Sequence, residues 1–206
     1  MTNGGTYDGL YSGRGHVPLW GPDPGRLVAR IQDWCETADV LDAGCGDGKN
    51  ALFLERLGFS VTGIDISGQA LDLLGDRFAA ADRVPKGAYI EADIESWLPD
   101  DRFDVLLSYG LFHCLRPAHR VRRHRLMQSR LRPGGIIVFS ALTDGIPMPD
   151  DHRTPGVNLA SSAEVSSLWE GYEIVENSVG HIVESHPPFV PTHRHEVTWV
   201  VARVPA

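Results

Sequence analysis

The chain has 206 residues, 42% hydrophobic and 22% charged, with 22 Gly and 14 Pro. At roughly 150 residues per domain this is one domain with a substantial core, neither disordered nor collagen-like. The 27 Asp and Glu against 19 Lys and Arg give a formal charge of −8, which argues against nucleic acid or an anionic membrane as a general partner. Apolar stretches such as 136–139 are far too short to span a bilayer, and the opening MTNGGTYDGLYSGRGH lacks a signal-peptide pattern. Cys35, Cys45 and Cys114 stand apart, so neither a disulfide frame nor a cysteine metal site is expected. The expectation is a cytoplasmic protein.

Residues 1–25 are rich in Gly, Pro and aromatics (Tyr7, Tyr11, Trp20) and read as a loop-rich lead-in whose aromatics either hang loose or fold over something as a lid; the domain proper is then 26–206. Leu27, Ile31 and Trp34 have helical spacing. A strand at 40–43 runs into glycines, and a helix at 50–57 stops at Gly58. A strand at 60–64 ends at Asp65, and Ser67 is placed to cap a helix over 67–80. Strands follow at 88–91 and 103–109, then an Arg-rich helix at 117–130 and a strand at 135–142. Strands alternating with helices predict an α/β, doubly wound, Rossmann-like sheet. Residues 143–160 read as a loop, and Ser161-x-x-Glu164 as a capping box opening a short helix. Strands at 172–179 and 196–204, with no helix between them, predict an antiparallel ending to a seven-stranded, mostly parallel sheet.

The motif with most chemical content is Val40-Leu-Asp-Ala-Gly-Cys-Gly-Asp-Gly-Lys-Asn50. Gly44, Gly46 and Gly48 lie between a strand and a helix, where a tight turn must bring backbone amides against a ligand. A phosphate loop of the G-x-x-x-x-G-K-[ST] type fails, because Ala43 stands where its first Gly should be and Asn50 follows Lys49. A dinucleotide fingerprint is met formally by Gly46-x-Gly48-x-x-Ala51 with Asp65 beyond, which leaves an NAD(P)-binding oxidoreductase as one alternative. No Tyr-x-x-x-Lys pair accompanies it. A non-catalytic cofactor-binding module on the same fold is another alternative.

Asp42-Ala-Gly-Cys-Gly-Asp-Gly with Asp65 at a strand end resembles the first two motifs of the class I S-adenosylmethionine-dependent methyltransferases. Glu91-Ala-Asp93-Ile94, then Phe103 to Tyr109 with Leu111-Phe-His-Cys-Leu115, then Leu131-Arg-Pro-Gly-Gly-Ile136, resemble later motifs in order and spacing. Within that family, the segments 46–54, 58–65 and 170–202 resemble the small tellurite-resistance and thiol-type branch. The resemblance implies S-adenosyl-L-methionine as cofactor and methyl transfer to a small-molecule acceptor through an O, N, S or chalcogen nucleophile. It implies a cofactor site of Asp42, Gly44, Cys45, Gly46, Gly48, Asp65, Ile66, Asp93, Ile94, Ser108 and Tyr109. Asp65 would accept from the ribose hydroxyls and Asp93 from the adenine amino group, with Ile66 and Ile94 on the adenine faces. Asp42 would order the loop or bridge through water to the cofactor's amino group. Cys45 is not expected to be a nucleophile.

The donor is already activated, so positioning supplies much of the rate and a base is needed only if the acceptor must lose a proton. His113 follows the fourth strand at the ligand-binding edge and suits a general base; a loop histidine holding backbone groups is the plain alternative. His193 alternates with His195 on one strand face, beside Arg194, and His193 and Arg194 join His113 as candidate catalytic residues. A metal site lacks a third ligand at a recognisable spacing, so none is assigned. Tyr11, Arg14, Trp20, His113 and His186 are the expected acceptor contacts. Seven arginines between Arg116 and Arg132 read as a solvated, paired helix face or as a docking or homodimer contact.

Overall fold

The computed structural model describes residues 4–12, 19–147, 156–186 and 190–205, leaving aside the side chains of 4–6, 184–186 and 190–191. The strands are β1 (Asp39–Ala43), β2 (Ser60–Asp65), β3 (Ala88–Glu91), β4 (Phe103–Tyr109), β5 (Leu131–Thr143), β6 (Glu173–His186) and β7 (Val190–Arg203). The α-helices are α1 (Gly4–Tyr11), α2 (Lys49–Arg56), α3 (Gly68–Ala80), α4 (Arg120–Gln128) and α5 (Ser162–Ser167), with short 3-10 helices at Val28–Asp33 and Phe112–Cys114.

One seven-stranded sheet has the order β3-β2-β1-β4-β5-β7-β6. The central strands are apolar on both faces because both faces are covered. Leu41, Leu106, Ile137 and Phe139 face one core with Met127 and Leu168. Val40, Val105, Leu107 and Val138 face another with Leu27, Ile31 and Leu54. β7 runs antiparallel to both β5 and β6, so β7 alone is reversed and β6 points the same way as the first five strands. The order reverses between β1 and β4, which opens a crevice at the carboxyl ends of those strands.

Three expectations change. The lead-in, read as loop, contains the helix α1. The segment at 27–34 is a 3-10 turn. The last two strands are each 14 residues long, so the strand pairing reaches well into the Pro/His-rich stretch read as a turn.

The arginine stripe is an internal clamp. Arg120 is 3% exposed and grips Glu164 through two hydrogen bonds (2.8 and 2.6 Å) while donating to the carbonyls of Asn158 and Leu159. Arg116 pairs with Glu95, Arg130 with Asp100, and Arg132 with Asp39 and Asp104. Arg123 donates to the carbonyls of Ile94 and Trp97, and Arg125 to that of Ser167. Glu164 also closes the capping box with Ser161, so one carboxylate starts α5 and neutralises a buried cation.

Candidate functional site

The loop joining β1 to α2 turns through three left-handed glycines, Gly44 (φ 74°), Gly46 (φ 54°) and Gly48 (φ 79°). Gly48 must also lack a side chain because a Cβ there would lie 2.6 Å from Leu74 on α3. At the end of β2, Asp65 accepts from the Gly46 amide (2.8 Å) and the Ser67 amide (3.0 Å). Burial pushes the Asp65 carboxyl up, and those amides pull it back.

Asp42 lies behind the loop, 1% exposed, and its Oδ2 has no hydrogen-bond partner among the described residues. Burial pushes its pKa to about 8, and the neighbouring charge of Asp65 adds to the effect. The Ser108 hydroxyl, fully buried on β4, is likewise unpartnered. Two orphaned polar groups at the open end of a parallel sheet suit a polar ligand.

The lead-in closes this crevice from above. Asp8 of α1 accepts from the Ser67 hydroxyl at 2.7 Å. The Tyr11 hydroxyl stands 2.8 Å from where a Gly46 Cβ would be, and Trp20 hydrogen-bonds it. Tyr7 is hydrogen-bonded to the Cys114 thiol, and burial drives that thiol up to about 11. Farther along, Leu19 and Arg77 both donate to Asp47, Lys49 donates to the Trp20 carbonyl, and the Gly25 amide donates to Asn50.

Residues 40–135 match the family profile described as a methyltransferase domain. The matched segment, under half of the chain, is similar to that domain. It is 31% identical over 132 residues to a trans-aconitate 2-methyltransferase of Rhizobium rhizogenes, covering 63% of this chain and 46% of that one. It is 25% identical over 179 residues to thiocyanate methyltransferase 1 of Arabidopsis thaliana, covering 84% and 74%. The fold matches the N-methyltransferase NodS of Bradyrhizobium japonicum, solved in complex with S-adenosyl-L-homocysteine, with a TM-score of 0.74 at 16% identity over the whole of both chains. The chain spans about half the length of the first curated relatives it matches.

The expected residues fall into three groups. Asp42, Gly44, Gly46, Asp65 and Ser108 sit together at the crevice, with half-buried Ile66 next to Asp65. Asp93 opens a turn by accepting from the Glu95 amide, and Ile94 is buried beside it. The Cys45 side chain turns away to pack with Leu74 and Phe78, and burial raises its thiol well above the ordinary range. The Tyr109 hydroxyl is engaged elsewhere, accepting from Trp199 Nε1 at 3.0 Å and from the Arg26 and Leu27 backbone, in the core beneath the lead-in.

His113 is 8% exposed, and its Nδ1 accepts from the Leu142 amide at 3.0 Å, which places its proton on Nε2. Burial, with His195 and Arg120 nearby, lowers its pKa to about 3. It is therefore a neutral ring that ties β4 to β5. His193 and His195 are buried, while Arg194 is exposed on the other face of β7. Arg14 and the His186 side chain lie outside the described residues. Among the described residues no group of three His, Cys, Asp or Glu could hold a metal ion, and no helix is long and apolar enough to cross a membrane.

Asp47, Lys49 and Asn50 were not singled out from the sequence. Asp47 sits between Gly46 and Gly48, Lys49 and Asn50 open α2, and all three fasten the lead-in.

Proposed function

We propose that this chain transfers a methyl group from S-adenosylmethionine to a small-molecule acceptor in the crevice above β1, β4 and β5. The observation that carries the reading is Asp42: a buried carboxylate with an unpartnered oxygen, beside an Asp65 set at the strand end. A ligand bearing an ammonium and a ribose suits both groups. When bound, the cofactor supplies a methyl carbon activated on a positively charged sulfur. The chain's part is to hold and shield. Asp65 offers its remaining lone pairs to the ribose hydroxyls, Asp42 faces the amino group, and Asp93 with Ile66 and Ile94 receives the adenine. Helix α1 and Tyr11 act as the cover that keeps water from the reacting atoms.

The acceptor side is built from Tyr7, the turn after β4, and the inner face of the β6–β7 hairpin. Relatives named for trans-aconitate and thiocyanate support a small acceptor over a macromolecular one. His113 serves as scaffold in this reading, since its lone pair is occupied by a main-chain amide.

Calorimetry with S-adenosylhomocysteine and with NAD tests the reading. Single-site binding of S-adenosylhomocysteine, and none of NAD, is expected. Binding of NAD alone would overturn it.

A further inference from the structure

The sheet ends on β6, a strand of 14 residues. Among the described residues no strand pairs with its outer edge, so a row of backbone amides and carbonyls faces outward there. The β6–β7 hairpin also runs past the sheet. β5 pairs with β7 only as far as Thr143 opposite Glu196, whereas β6 stays paired with β7 out to His186 opposite Val190. Residues 182–195 thus form a two-stranded arm.

Exposed edges are ordinarily blunted by lysine, proline or charge. From Val175 to Val183 the sequence is Val-Glu-Asn-Ser-Val-Gly-His-Ile-Val, without Lys, Arg or Pro. Its single carboxylate, Glu176, is already paired, with Arg30 at 2.9 Å and Arg26 at 3.8 Å. The register shift between Ile174 and Glu176 confines the irregularity to one end of this stretch. Val175, Val179 and Val183 fall four residues apart, on one face of the strand, and are 38%, 61% and 65% exposed. The stripe is symmetric about Val179. An antiparallel pairing of two such strands about a two-fold axis there sets Val179 against itself, Val175 against Val183 and Asn177 against His181. On the other face it sets Glu176 against Ile182 and Ser178 against Gly180. No like charges meet, and the one pair of facing polar side chains, Asn177 and His181, is able to hydrogen-bond. On a chain of formal charge −8, this neutral seam lets two copies approach without opposing their acids.

We propose that β6 is a self-recognition edge, through which two copies of this chain join antiparallel over residues 175–183 into one continuous sheet. The isologous contact closes on itself, so the product is a dimer and not a fibre. Val183 of each arm rests on Val175 of the other copy, which gives the arm a third strand at its root. Because the two sheets run in opposite directions, their crevices open at opposite edges. Nine residues a side fall well short of the about 20–30 of a standard interface, so the association is reversible and weak. The proposal is independent of the methyltransferase reading.

The test is sedimentation velocity on the full chain from about 1 to about 200 μM, a range that brackets a micromolar dissociation constant. The wild type should pass from monomer to dimer as concentration rises. Val179→Lys sets two ammonium groups against each other at the axis and should stay monomeric throughout. Its unfolding temperature at the lowest concentration should lie within about 2 °C of wild type, as for other exposed substitutions. Val179→Cys should be joined to its own copy by a short dithiol-reactive cross-linker, because facing Cβ atoms lie about 5 Å apart in such a pair. Asn177→Cys should not, since its two copies stand four positions, about 13 Å, apart along the strands. Both are read against the wild type with its own three cysteines. A wild type that stays monomeric, a Val179→Lys variant that dimerises as the wild type does, or cross-linking at 177 in place of 179 would overturn the proposal.

Discussion

Replacing Asp42 by Asn should make the ligand-free protein more stable and its cofactor binding weaker. In the unfolded chain this carboxyl ionises near 3.8, whereas in the folded, ligand-free protein it does so near 8. Such a raised carboxyl favours folding fully below 3.8, and that advantage is lost as pH rises through 8. At pH 7 the cost is set by the interval from 3.8 to 7, about 4 kcal/mol as a ceiling. Asn fills the same space without the charge, so it should recover much of this, less what its amide leaves unsatisfied. For a chain of this size each kcal/mol is roughly 2–4 °C of Tm. Thermal unfolding of Asp42→Asn should therefore rise by several degrees at pH 7.5 and by little at pH 4.5. Calorimetry with S-adenosylhomocysteine should show a loss of about 1–3 kcal/mol, the worth of a charge-assisted bond. An unfolding temperature that is unchanged or lower at pH 7.5, together with unaltered affinity, would refute the reasoning.

Asp65→Ala should weaken S-adenosylhomocysteine binding by about 1–3 kcal/mol, read by the same calorimetry. Glu164→Ala leaves the buried Arg120 guanidinium with carbonyl partners only and should cost about 3 kcal/mol, seen as a lower urea midpoint. Arg120 holds the Glu164 carboxyl down at about 2, so this contribution persists at neutral pH and fades only as pH falls from 4.5 toward 2. His124 is fully buried among Phe112, Phe139 and Trp169, and burial lowers its pKa to about 3. Its neutral form stabilises the fold above 6.5, and that advantage is lost as pH falls toward 3; His124→Leu should flatten the acid limb of the stability curve measured by urea unfolding.

The strands of the parallel core were legible because β1, β4 and β5 are mostly apolar runs bordered on one side by glycines. Asp42 and Asp65 were legible because each ends or nearly ends its strand. Helix α1 was not: Gly-Gly-Thr-Tyr-Asp-Gly-Leu-Tyr has poor helix propensity, and its docking through Asp8 onto Ser67, 59 residues away, and through Tyr11 onto the glycine loop overrides that. The arm was hidden for a related reason. Prolines at 187, 188 and 191 read as a turn, yet the strands on either side pair almost to that point. His113 carried two readings, and only the position of the Leu142 amide separates scaffold from base.

The tie between Gly25 and Tyr109 sets an order of events. A Cβ at Gly25 would lie 2.4 Å from the Tyr109 ring, so the two are in direct contact. Tyr109 is in turn bonded to Trp199, over which the Arg26 guanidinium stacks at 5.0 Å. The lead-in precedes every surface that receives it, from Gly46 and Asn50 through Ser67 and Tyr109 to Trp199 on β7. The cover over the crevice is thus held by contacts far apart in sequence, and it settles only once those separate elements have packed.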